Sequence, residues 1–168
     1  GLWWRIDSMT SMFELIQELW FLKRDIVSDG FDRALLRLAQ EVPMTIHKYP
    51  TGERCWTWRI PEKWTCYEAY LETLDGKRLI DYADHPLHVV SYSLPFEGIV
   101  SRDELLRHLH VHHHLPDANP FVFKYYERDW GLCSSQNLRD SLQDEAYRVV
   151  IRSVFEPGTL KVGEVLIP

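Results

Sequence analysis

Five histidines fall within seven positions, His108, His110, His112, His113 and His114, in the stretch HLHVHHH. Extended, the segment would set His108, His110, His112 and His114 on one face. Helical, it would pair His108 with His112 and His110 with His114. Either arrangement brings two or three imidazoles within reach of a zinc or nickel ion. A catalytic zinc also needs a base. The stretch is not HExxH, so no glutamate lies between the paired histidines. The nearby carboxylate on the C-terminal side is Asp117, in a turn-like Leu-Pro-Asp. The plainer expectation is a solvated helix end, where the helix dipole favours histidine, and no metal-ligating residue is assigned here.

Nucleophilic chemistry finds less support. Ser91 and Ser93 sit in SYS on an expected strand, without a Gly-x-Ser-x-Gly elbow. Cys133 in WGLCSS has no identifiable histidine partner, so a structural thiol is expected. The eight glycines are scattered singly, which leaves no phosphate-cradling loop. No catalytic residue is assigned. In YYERDWG an alternating strand would turn Tyr126, Arg128 and Trp130 to one side. Such a face binds a small polar or aminated ligand through stacking and cation–π contact, and these three are the expected substrate-binding residues.

The elements that would position these groups follow from periodicity. MFELIQELWFLKR carries apolar residues at helical spacing from Met12 to Arg24 with Ser11 as N-cap, and a second helix is expected over 29–42, ending before Pro43. A strand is expected over 44–49. Leu74-Asp75-Gly76-Lys77 signals a hairpin, 88–96 and 121–133 alternate like strands, and Ser101 with Glu104 caps a short helix. Two final strands flank Glu156-Pro157-Gly158. The expected class is α+β: an N-terminal helical hairpin and the first strands of an α/β sheet, with a β-rich region between them.

Composition bounds the rest. The chain has 168 residues and a net charge of −6, enough length to bury a core unaided. An acidic chain whose basic runs are pairs such as Lys23-Arg24 is not expected to bind nucleic acid. Three widely spaced cysteines, Cys55, Cys66 and Cys133, read as reduced thiols in a cytoplasm. No apolar run approaches the ~20 residues that cross a bilayer. The start lacks a signal peptide and an initiator Met, which suggests a cut fragment. The final strand stops in full course at Leu166-Ile167-Pro168, so something is expected after it.

Several landmarks occur in a particular order. They are Pro50-Thr51-Gly52, the WxxPxxW of Trp58 to Trp64 and the LHVVSYSLP of Leu87 to Pro95. PDANPFVFKYYERDWGLC of Pro116 to Cys133 and EPGTLKVGEVLIP of Glu156 to Pro168 follow. This order resembles the amino-terminal part of a bacterial aminopeptidase-like family, polysaccharide-biosynthesis proteins with an aminopeptidase-like domain. The resemblance covers nearly all of 12–168 and implies a co-catalytic zinc exopeptidase fold carrying an inserted domain of unknown function. Residues 1–11, before it, are expected to be a tail or a remnant of cutting, and the resemblance implies that 12–53 with 144–168 begin the peptidase domain and that 54–143 is the insert. Zinc would belong to the full-length parent, with its ligands beyond Pro168 and none in this chain. The histidine run is a departure from the family pattern. The expected partners are the remainder of the peptidase domain and a peptide or aminated small molecule, with no membrane; a homo-oligomer is left open. The other class of function is a non-catalytic binding or assembly module related to that family.

Overall fold

The computed structural model describes residues 11–167. Two antiparallel ladders organise them. The first joins β1 (Thr45–Pro50) to β10 (Thr159–Glu164), with Thr45 opposite Glu164 and Pro50 opposite Thr159. The second is a four-stranded sheet of order β5-β4-β9-β6, built from β4 (Lys63–Thr73), β5 (Arg78–Asp81), β6 (Phe96–Ser101) and β9 (Ala146–Glu156). Because β1 leads to β4 and β9 leads to β10, the chain enters and leaves the larger sheet side by side.

That point of entry is tightly bonded. Thr51 N donates to Gly158 O at 3.0 Å, Gly158 N donates to Thr51 Oγ1 at 2.8 Å, and Thr51 Oγ1 donates to Pro61 O at 3.0 Å. Beneath it Val27, Ile60 and Leu160 form a small apolar cluster.

The main core lies on the inner face of the four-stranded sheet, where Trp64, Leu71, Tyr147, Val149 and Ile151 meet Tyr92, Leu105 and Leu132. Strand side chains alternate between faces, so β4 buries Trp64, Cys66, Ala69 and Leu71. A β-bulge between Cys66 and Glu68 leaves Tyr67 exposed and resets that alternation. The outer face is wet and laced with ion pairs: Glu68–Arg152, Glu72–Arg148 and Arg78–Asp81. Such exposed pairs contribute little stability individually. Burial of the inner face contributes far more, about 1.5–3 kcal/mol for each large side chain.

Several expected elements are realised. Ser11 and Glu14 form a capping box on α1 (Met12–Leu19), and α2 is Asp29–Leu38. The hairpin turns through Gly76 at φ 91° between β4 and β5, where a Cβ is disfavoured. Ser101 caps α3 (Arg102–His108), and β9 and β10 flank Glu156-Pro157-Gly158.

Others are corrected. The first helix stops at Leu19 rather than Arg24, because the chain folds back over the start of α2: Ser28 Oγ donates to Asp25 O at 2.7 Å. The Lys23 carbonyl also lies where a Cβ on residue 30 would fall, a close approach that only Gly30 allows. The second helix ends at Leu38, and 39–42 form turns. Residues 88–96 and 121–133 are not long strands. They contribute single bridges, Val89–Leu132 and Ser91–Phe123. Tyr92 adopts φ 69°, which interrupts the extended run while its hydroxyl donates to Glu62 O at 2.6 Å. The regular pairing near these segments is the two-residue parallel match of β7 (Leu109–His110) with β8 (Leu132–Cys133). Strands β2 (Arg54–Cys55) and β3 (Trp58–Arg59), strand β6 and helix α4 (Gln136–Ser141) complete the elements. Among the described residues no helix is long and apolar enough to cross a membrane.

Candidate functional site

The histidine run adopts neither of the two expected geometries. His108 is the last residue of α3 and stacks on Trp130 with ring centroids 4.0 Å apart. Its Nε2 lies 3.2 Å from Asp129 Oδ1, and Asp129 in turn accepts from Lys124 Nζ at 2.7 Å. His110 lies in β7, half-buried, and burial followed by the nearby Lys124 charge lowers its pKa. His112 turns inward on its own loop, where its Nδ1 accepts from the backbone N–H groups of His114 and Leu115. His113 and His114 are exposed. Asp117 accepts from Asn137 Nδ2. Among the described residues no three His, Cys, Asp or Glu side chains gather as a metal-binding group. These residues therefore do not fit a zinc centre.

The two serines and Cys133 are structural. Ser93 is fully buried; its Oγ donates to Val90 O at 2.6 Å and accepts from Gly131 N at 3.1 Å. Ser91 Oγ donates to the carboxylate of Asp25. Cys133 is also fully buried, and burial pushes its thiol up to about 12, far from the thiolate that nucleophilic attack requires.

Tyr126, Arg128 and Trp130 do not share a face, because the chain bends at Tyr125 and Tyr126 instead of running as a strand. Trp130 is buried between Phe96 and His108, stacked on both. Tyr126 and Arg128 stay on the surface together. The Tyr126 hydroxyl donates to Arg59 O at 2.7 Å, and Arg128 pairs with Glu62 at 2.8 Å while lying over the Phe155 ring. Both are thus held against 59–62 and the end of β9, beside the place where β1 and β10 emerge.

A large concavity lies elsewhere, along the connection between α1 and α2. Lys23 and Asp25 line two adjoining clefts, of about 570 Å³ and about 330 Å³. Trp20, Phe31, Leu35, Leu38 and Pro86 wall the larger one; Trp64, Cys66 and Tyr82 back the smaller. Lys23 Nζ sits 3.7 Å from the centroid of the Tyr82 ring, and burial lowers its pKa. The same burial raises the Asp25 carboxyl, against the lowering effect of the Ser91 hydrogen bond and the Lys23 charge. Burial likewise pushes Cys66 up to about 12 and raises Tyr82. Apolar walls around a few polar groups are the usual makeup of a small-molecule site. In the sequence Lys23 and Asp25 look like the polar end of a helix, and no spacing rule marks them.

The chain is similar to known proteins in sequence and fold. A domain of unknown function, DUF2172, matches residues 63–154. A protein of Clostridium acetobutylicum named "Putative polysaccharide biosynthesis protein with aminopeptidase-like domain" is 34% identical over 153 residues, 91% of this chain and 35% of its own length. A crystal structure described as a "putative peptidase" from the same organism superposes with a TM-score of 0.81 at 34% identity, covering 90% of this chain and 36% of that one. The chain thus spans about a third of the length of these relatives. The resemblance in sequence and in fold points to peptidase-like proteins, and with 63–154 of its 168 residues inside the match, this chain belongs to the DUF2172 family.

Proposed function

We propose that the chain is the amino-terminal portion of a zinc-dependent aminopeptidase-like hydrolase, in which it shapes and caps the substrate cleft without holding the metal. The observation that carries this reading is the register of β1 with β10. Residues 51–158 leave and return through one bonded point between two paired strands, which supports reading them as a domain inserted into a host sheet. The DUF2172 match lies wholly inside that span.

Tyr126 and Arg128 are the residues proposed to meet substrate. They stand at the root of the insert, on the side of the emerging β1 and β10, where a neighbouring peptidase part would place its cleft. Trp130 contributes indirectly, by stacking on His108 and holding Asp129 in place. The remainder of the peptidase domain is the proposed partner: α1 presents Met12, Phe13 and Ile16 to the outside, 80%, 68% and 56% exposed, an apolar stripe that burial against another part would stabilise. Zinc, supplied by ligands outside the described residues, would activate the attacking water. The free thiols Cys55, Cys66 and Cys133 fit a reducing cytoplasm.

The test is kinetic, on a protein that carries both parts. Tyr126→Ala and Arg128→Ala should each raise KM for a peptide substrate, leaving the fold and the metal content unchanged. Kinetic constants equal to those of the parent would overturn the cleft-shaping role.

A further inference from the structure

We propose that the two adjoining Lys23 clefts together bind a small molecule whose carboxylate head meets the Lys23 ammonium beside Tyr82 and whose apolar body lies in the larger cleft. The argument begins with the lysine. Lys63, Lys124 and Lys161 are, like Lys23, partly buried, and each is paired with an aspartate: Asp29, Asp129 and Asp32. Lys23 is half-buried and has no ion-pair partner among the described residues; its ammonium faces the Tyr82 ring instead. Asp25, the acid two residues away, turns its carboxylate to Ser91. Asp25 and Asp81 attract the ammonium only from beyond ion-pair distance; its withdrawal from water is therefore incompletely compensated, and an incoming carboxylate offsets that cost.

The cleft around it selects the rest of the ligand. At about 570 Å³ it falls in the range of small-molecule pockets. Trp20, Phe31, Leu35, Leu38 and Pro86 provide the apolar wall. Arg24, exposed at the rim, adds a second positive charge. One half-buried ammonium suits a single carboxylate better than a phosphate dianion, which gathers several donors. Free amino acids, the carboxyl ends of short peptides and simple aryl acids all carry this chemistry.

Isothermal titration of the 168-residue chain tests it with three probes of one shape. N-acetyl-L-phenylalanine has the carboxylate alone, L-phenylalanine has both charges, and L-phenylalaninamide has the amine alone. The first should bind with one-to-one stoichiometry, and the amide about tenfold more weakly or worse. Glycyl-L-phenylalanine binding as well as N-acetyl-L-phenylalanine would identify the carboxyl end of a peptide as an acceptable source, and stronger binding of L-phenylalanine would identify free amino acids. Lys23→Met should weaken N-acetyl-L-phenylalanine by about tenfold, whereas Lys23→Arg should stay within about threefold. Should Lys23→Met fail to fold, the acid–amide comparison on the unaltered chain decides alone. Equal binding of acid and amide, no binding of any probe, or full binding by a folded Lys23→Met chain would each overturn the proposal.

Discussion

Thr51 and Gly158 stand 107 positions apart, and each donates its backbone N–H to the other: Thr51 N to the Gly158 carbonyl and Gly158 N to the Thr51 hydroxyl. Everything between them leaves and re-enters through this contact. Thr51→Val removes the hydroxyl and leaves the Gly158 N–H unpaired, which costs about 1–3 kcal/mol. Gly158→Ala should be comparably damaging, about 1–3 kcal/mol, since its Cβ would lie 2.6 Å from Lys63 Cβ and 3.1 Å from Val27 Cγ1. Urea unfolding reads both; a loss below about 0.5 kcal/mol in each would show that the junction holds nothing together.

Burial raises the Asp25 carboxyl, so the folded chain holds that proton more tightly than the unfolded chain does. The associated stability is complete below the ordinary carboxylate value and is lost as pH rises through the folded-state value. Asp25→Asn keeps an oxygen to accept from Ser91. It should therefore be more stable than the parent at pH near 7, with the gain shrinking to nothing below about pH 4. Denaturant midpoints across that range check it, and an advantage independent of pH would contradict the role given to burial.

The three thiols should separate cleanly. Cys55 is exposed, while Cys66 and Cys133 are buried with thiols pushed up to about 12. A chromogenic disulfide at mildly alkaline pH should label one thiol rapidly in the folded chain, and Cys55→Ser should abolish that phase. Rapid labelling of Cys133 would show that the β7–β8 region opens far more readily than its packing implies.

Much of the fold is legible in the sequence, and the reason is local. Ser11 with Glu14, Ser101 with Glu104, Asp75-Gly76 and Pro157-Gly158 act on their immediate neighbours, so caps and turns are recognisable without tertiary knowledge. The alternation in 88–96 and 121–133 misleads, since these segments satisfy their backbone by contacts across the sequence, such as Ser91 N to Val122 O and Lys124 N to Ser91 O. Tyr126, Arg128 and Trp130 separate for the same reason: a bend changes which face a side chain takes. The Lys23–Asp25 clefts are invisible in advance because they exist only once the helix ends at Leu19, and that ending depends on Ser28 and Gly30 reaching back.

In the proposed function this chain shapes a peptidase-like cleft while other residues hold the catalytic metal. Turnover of aminoacyl-nitroanilide substrates by the zinc-supplemented 168-residue chain tests it most directly. A rate equal to that of buffer with zinc is expected. Steady turnover that co-elutes with the chain and disappears with a chelator, or with alanine at His110, His112, His113 and His114, would contradict it.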